Sequence, residues 1–392
     1  MKIKIKLTEL LFYSSFFIWL LVNFIVQTSF INKYQGLYRI RLLGMIICVL
    51  ILFGKFLLEK TTLNNLLYMS SMMGLAIIVG ISTHKLFDAL SVVSTIALII
   101  SINNIRFKST MIFWLASIAI FMLGVYICWK VGFIENILRY QAGRGVRFGL
   151  GYQYPTFGAN YLFHFTIFYL YIRNKRITLL ESLFLGGLNY YFYINTDTKS
   201  AFYLAILTLV LVYLLKNKNV NQKILSITRN CILTLGFLIP IVLTYLYDPS
   251  NGLFIKLNHV LTGRLSLGKQ TISNFGVHLF GQRIDWVLQQ STTSVFDEYL
   301  YVDSSFVNIL VHYGVVLLAV LYFSYYKIFK NKNFDTVETI VIVILILHSM
   351  FDPQFFEMMY NPMLLMIGYI GIVGNEECQI QSDIVKKIDN IS

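Results

Sequence analysis

Arginine, glycine and tyrosine alternate through Arg139-Tyr-Gln-Ala-Gly-Arg144-Gly-Val-Arg147-Phe-Gly-Leu-Gly-Tyr-Gln-Tyr-Pro155. Each guanidinium offers a planar fork that fits phosphate oxygens. Glycine lets backbone approach an anion closely. Tyrosine, here Tyr152 among others, supplies flat amphipathic faces that suit sugar rings. No acidic residue interrupts this stretch after Glu135, so it reads either as a site for a diphosphate or acidic glycan, or as a basic loop resting on lipid headgroups. A second set lies further on: Leu261-Thr-Gly-Arg264-Leu, then His278, Arg283 and Val302-Asp303-Ser-Ser-Phe306. Cations, an imidazole and a carboxylate form a set sufficient for glycosyl transfer from a lipid diphosphate. Arginine offsets charge on the leaving group, and Asp303 or His278 deprotonates the attacking hydroxyl. Asp303 has a plainer alternative as the N-cap of the helix that follows it. Thr196-Asp-Thr-Lys199-Ser200 adds one more cation beside hydroxyls.

These residues need a scaffold, and the composition says which kind. The 392 residues are 57% hydrophobic and only 13% charged, where a soluble domain carries roughly 25% charged residues. A soluble enzyme is excluded, and so is disorder, because 32 Phe and 26 Tyr cannot stay solvated. The net charge of +13 then speaks for loops against anionic lipid rather than for nucleic acid. The four cysteines are scattered and form no ligand spacing, and no P-loop, G-x-S-x-G or H-E-x-x-H motif occurs.

Window hydropathy places about twelve transmembrane helices in an all-α, polytopic integral membrane protein. The expected spans are 10–30, 42–58, 63–82, 86–102, 110–129, 155–172, 177–194, 199–215, 230–247, 304–326, 337–351 and 360–374. Lys55 lies inside the second, where it is expected to snorkel. Lysine and arginine cluster in alternate loops, at Arg106/Lys108, Lys175/Arg176, Lys216/Lys218 and Lys327/Lys330. The positive-inside rule puts those loops and both termini in the cytoplasm. One transmembrane domain, 1–375, thus carries two external loops, 130–154 and 248–303, ahead of a cytoplasmic tail, 376–392. Loops of that length are functional or disordered, and the spacing of Leu253, Leu257, Leu261 and Leu265 predicts an amphipathic helix on the outer surface.

In this order the segments resemble the Wzy-type polymerases of capsular polysaccharide repeat units, within the wider O-antigen polymerase and ligase superfamily. The elements that carry the resemblance are the Arg/Gly loop into Gly149-Leu-Gly-Tyr-Gln-Tyr-Pro155, Thr198-Lys199-Ser200, and Leu261-Thr-Gly-Arg264-Leu. They continue with Leu279-Phe-Gly281, Val302-Asp303-Ser-Ser-Phe306, Tyr313-Gly314 and Tyr360-Asn361-Pro362. Together they span most of residues 139–374. Arg147 and Gly158 fit one of the R-x10-G motifs known in some polymerases, whereas Arg264 and Arg283 do not fit the second.

The resemblance implies a GT-C-like glycosyltransferase of the bacterial cytoplasmic membrane, active on its outer face and needing no metal or other cofactor. Donor and acceptor would be glycans on undecaprenyl diphosphate, with a flippase and a chain-length regulator as possible partners. Read from the residues themselves, Asp303, His278 and Arg264 are the catalytic candidates, and Arg139, Arg144, Arg147, Lys199, Arg283 and Tyr152 the substrate-binding ones. The rival readings are a ligase that moves finished glycan to another acceptor, and a flippase for the same lipid-linked sugar. A flippase is expected to show matched halves and cations deep in its spans.

Overall fold

The computed structural model describes residues 6–141, 145–287 and 299–372. Of the sequence-based expectations, Arg144 and the tail 376–392 fall outside these residues. Of the described residues, 73% are helical. Among the described residues, five helices are long and apolar enough to cross a membrane: α1 (Leu7–Ile25), α3 (Leu37–Leu58), α4 (Leu63–Ser82), α6 (Phe107–Lys130) and α10 (Gln222–Leu246). The protein is therefore an α-helical membrane protein. Between these lie α2 (Phe30–Lys33), α5 (Leu86–Ile100), α7 (Pro155–Arg173), α8 (Leu179–Thr196) and α9 (Lys199–Leu215). Beyond α10 come α11 (Gly252–Val260), α12 (Arg264–Phe275), α13 (Ser305–Asn308), α14 (Val315–Asn331), α15 (Thr336–Ser349) and α16 (Leu365–Ile372).

Local chemistry sets several of these boundaries. Pro155 opens α7 at a position where its missing N–H costs nothing. Capping boxes open α8 (Thr178 with Glu181) and α15 (Asp335 with Glu338). Helices α7 and α15 are buried almost all round and pack against each other, and each also packs on α9. A helix apolar on every side belongs in the middle of a bundle.

The connections gather at two ends. At one end Ser29 bonds the carbonyls of Glu135 and Gly151, and Lys85 pairs with Asp285 at 2.7 Å. Arg147 bonds Thr196 O, and Arg264 bonds Phe351 O, at the same end. At the other end Lys216 bonds Ile177 O, Thr336 bonds Lys218 O, and Lys332 lies over the Phe107 ring. These two groups are the ones that the distribution of lysine and arginine separates. Lys55 does not snorkel. It is 1% exposed and paired with Glu59 at 2.7 Å, one turn away.

Three expected elements take a different form. The loop between α6 and α7, expected to be external, contains a two-stranded antiparallel hairpin, β1 (Leu138–Gln141) with β2 (Gly145–Phe148), in which Arg139 lies opposite Arg147. The amphipathic helix expected over Leu253–Leu265 is two helices, because Thr262 (φ 55°) and Gly263 (φ 85°) turn the chain left-handed between α11 and α12. Arg264 therefore stands at the first position of α12 rather than mid-helix. The single helix expected over 304–326 is broken at Gly314, where a short π-helical turn (309–313) meets α14.

That last break is held from outside. The carbonyls of His278 and Leu279 accept the N–H groups of Val315 and Val316, which the start of α14 would otherwise leave unpaired. Gln282 N–H in turn bonds His312 O. Leu279-Phe-Gly281 and Tyr313-Gly314 are thus one joint. A Cβ on Gly281 (φ 85°) would lie 2.4 Å from His312 O, and one on Gly314 (φ 94°) would lie 2.3 Å from Gly281 N. Gly281→Ala is expected to destabilise the protein by at least about 1–3 kcal/mol from backbone strain alone. Thermal unfolding in detergent measures this, and a wild-type midpoint would mean the joint yields freely.

Candidate functional site

Arg264 is the centre of the best-built polar cluster at the end that carries the long loop. Its Nε lies 3.4 Å from Asp303 Oδ2 and donates to Phe351 O at 3.1 Å. One terminal nitrogen donates to Leu261 O and to Thr262 Oγ1 at 2.8 Å. The left-handed turn before α12 therefore holds the guanidinium that follows it. Asp303 is not a helix cap: Ser304 holds the N-cap position of α13, and no side-chain capping bond is made there. The carboxylate faces Arg264 instead.

Asp352, just past α15, completes the cluster. Its Oδ2 accepts Ser200 Oγ at 3.0 Å. His348 Nε2 lies 3.2 Å from the same oxygen, at ion-pair distance but off hydrogen-bond geometry. The backbone here is fastened by Ser305, whose hydroxyl donates to Asp352 O and accepts Phe355 N–H. Asn361 bonds Phe355 O and closes the turn. The segment Val302-Asp303-Ser-Ser-Phe306 thus supplies a carboxylate with one residue and clamps the opposing turn with another.

Burial pushes Asp303 up to about 6. Arg264 works against that rise and the nearby Asp352 adds to it. Burial likewise raises Asp352 to about 6, opposed first by Arg264 and then by Ser200 and Asn160. Two carboxylates that exchange protons near neutrality thus flank one cation. A group with such a value is matched to proton transfer at physiological pH. Tyr299 stands close enough to Asp303 and Arg264 to interact with them electrostatically, and Tyr154 lies near Tyr299 in turn.

The other expected site residues divide. Arg147 is 3% exposed and donates from Nε to Thr196 O at 2.6 Å, which ties the hairpin to the end of α8, just before the helix α9 that carries Ser200. Its guanidinium carbon lies 5.9 Å from the Tyr154 ring centre. Arg139, across the hairpin, is half-buried, and its Nε has no hydrogen-bond partner among the described residues. Lys199 is half-exposed and 4.0 Å from Asp197. Arg283 is exposed and paired with Asp285 at 3.1 Å, within the Lys85–Asp285 group. His278 is exposed, and its ring touches Phe275 O at 3.2 Å rather than Arg264, Asp303 or Asp352. Tyr152 is not a surface residue: it is 2% exposed and packs against Phe24 and Tyr161. Its burial follows from Gly149 and Gly151, which fold the chain sharply inward around it.

Asp352, with Asn160 and His348 beside it, was not legible as part of the Arg264 cluster. Asp352 sits at a span boundary, where a lone carboxylate reads as a turn residue. The signal was there in the His348/Asp352 spacing of four, which puts both on one helical face. Among the described residues no three His, Cys, Asp or Glu side chains group as a metal-ligand set. No family model matches this chain, and no curated protein or solved structure is significantly similar to it.

Proposed function

We propose that the protein is a membrane glycosyltransferase that polymerises polyprenyl-diphosphate-linked saccharide repeat units, as the Wzy-type resemblance implies. The observation that carries this reading is the Asp303–Arg264–Asp352 cluster at the end of the bundle with the two long loops. In the reaction, an acceptor hydroxyl oxygen attacks the anomeric carbon of the donor and forms the new glycosidic bond. The bond from that carbon to the diphosphate oxygen breaks, and the lipid diphosphate leaves with the electron pair. Asp303 takes the hydroxyl proton. Arg264 orients Asp303, and the hairpin arginines Arg139 and Arg147, with Lys199, supply positive charge toward the diphosphate. On this reading the chain crosses the bacterial cytoplasmic membrane twelve times, its lysine- and arginine-rich loops and both termini are cytoplasmic, and this end is external. The apolar, exposed Leu253, Ile255 and Val260 of α11 then lie on the outer leaflet.

The test is direct. Purified protein in lipid nanodiscs, given lipid-linked repeat units extracted from the host bacterium, is expected to yield a ladder of polymers. A single transfer to a different acceptor would make the protein a ligase, and no product at all would overturn the reading. A cysteine placed at 256 in α11 should be labelled by an impermeant maleimide in whole cells, whereas one at 218 should not. Labelling at 218 alone would turn the cluster to the cytoplasm and remove the substrate from reach.

A further inference from the structure

Beside the Arg264 cluster lies a cavity of about 270 Å³ that the residues discussed so far do not use. Five separate pieces of chain meet in it: the end of α1, the start of α3, one face of α5 from Phe87 to Thr95, the long loop with the π-helical turn, and the segment after α15. Its size lies near the lower end of the range for small-molecule pockets, roughly 300–1,000 Å³.

The polar groups facing this space have unspent bonding capacity. Glu357 has an exposed side chain, and what it is exposed to is the cavity. Its carboxylate has no hydrogen-bond or ion-pair partner among the described residues. Arg41 stacks on the Phe87 ring at 3.7 Å and donates from Nε to Asn23 Oδ1 at 2.7 Å. No hydrogen bond engages its terminal nitrogens among the described residues. The Gln27 carbonyl accepts the hydroxyls of Tyr161 and Tyr360, which leaves its amide hydrogens as donors. Asp88 lies 3.6 Å from His312. Trp286 stacks parallel to that imidazole at 5.9 Å, with Tyr301 edge-on to its indole.

Charge decides the ligand class. Two carboxylates and one guanidinium give the cavity no excess of positive charge, so a diphosphate is a poor occupant. Sugar hydroxyls both donate and accept, and so match unspent donors and acceptors side by side. Aromatic rings suit the apolar face of a pyranose. We propose that this cavity is a saccharide subsite for one neutral or amino-bearing sugar ring, with Glu357, Arg41 and Gln27 bonding its hydroxyls and Trp286 covering its face. Tyr301 interacts electrostatically with both Glu357 and Asp303, so a ring held here lies next to the carboxylate assigned to proton transfer. That the ring belongs to a lipid-linked repeat unit rests on the polymerase reading. The binding of sugar does not.

The test uses the full chain in nanodiscs with methyl glycosides of glucose, galactose, N-acetylglucosamine and glucosamine, read by saturation-transfer NMR. At least one glycoside is expected to bind saturably, and inorganic pyrophosphate should not displace it. Glu357→Gln should weaken that binding by about tenfold or more, as expected for loss of hydrogen bonds to a charged group. Trp286→Ala should do the same and serves if the first variant does not fold. Absence of binding by all four glycosides, displacement by pyrophosphate, or wild-type affinity in a folded variant would overturn the proposal. Polymer assays separate the two readings: saturable glycoside binding with no polymer ladder would sink the polymerase and leave the sugar site standing.

Discussion

Arg264→Ala is expected to reduce polymer formation by about 10²–10³-fold while the protein still inserts and folds. Arg264 stands between two carboxylates that share one low-dielectric corner, Asp303 and Asp352. Removing one partner of a buried charge pair typically costs about 3–5 kcal/mol, and loss of one charge-stabilising donor costs about 10²–10³ in rate. Partial exposure of Arg264 and Asp303, 25% and 30%, argues for the lower part of both ranges. Arg264→Lys should rescue poorly. A single ammonium cannot face Asp303 while also donating to Phe351 O, Leu261 O and Thr262 Oγ1.

The same substitution should move the pH dependence in a known direction. A carboxylate acts as base only when ionised, so wild-type rate is expected to fall as pH drops through about 6, where Asp303 and Asp352 take up protons. Arg264 is the group that most opposes burial at both, with Ser200 and Asn160 adding to it at Asp352. Without it the carboxylates face each other, with Tyr299 near Asp303 and Ser200, Asn160 and His348 near Asp352. Both should then protonate at higher pH, and the acid limb of the profile should shift upward. Initial rates from pH 5 to 8 measure this. An unchanged midpoint with normal ladders would reduce Arg264 to a structural tie between α12 and the turn after α15.

The way Arg264, Asp303 and Asp352 meet also shows what a linear sequence carries. Membrane character is a bulk property, so apolar runs reveal it. Alternating lysines and arginines sorted the loops into two groups, and the contacts between loops fall into the same groups. Arg264 and Asp303 were legible because charged residues beside long apolar runs must have partners or water. Their partner Asp352 was not, because it comes from a turn some fifty residues further along, and no periodicity encodes contact across a bundle. The break at Thr262–Gly263 was hidden for a related reason. Leucine spacing continues through it, and only the left-handed backbone reveals the interruption. The buried position of Tyr152 and the unspent carboxylate of Glu357 likewise depend on the surroundings of each side chain, which residue type alone does not give.

Asp303→Asn should abolish most activity without loss of stability, whereas His278→Gln should leave activity near wild type. The acceptor hydroxyl loses its proton as its oxygen attacks, and a positioned base contributes about 10²–10⁴-fold. Asp303 is placed for that role beside Arg264, while His278 is exposed and occupied with Phe275 O. The stability half follows from linkage. The carboxyl of Asp303 rises from an ordinary 3.8 to about 6 on folding, so the folded state binds more protons than the unfolded state between those values. Ionised Asp303 therefore opposes folding increasingly as pH rises through that window, the reverse of an ordinary ion-paired carboxylate. Asparagine keeps the size and removes the charge, so the thermal midpoint at pH 7.5 should be equal or higher. At pH 4 the difference should shrink, because wild type then carries the proton. A residue kept although it destabilises is what a site built for reaction rather than folding requires. The measurement is initial rate at matched membrane yield together with thermal unfolding at both pH values. Normal rates in Asp303→Asn would leave the arginines and substrate positioning as the source of catalysis. A sharp fall in its midpoint at pH 7.5 would instead mark Asp303 as a structural partner of Arg264.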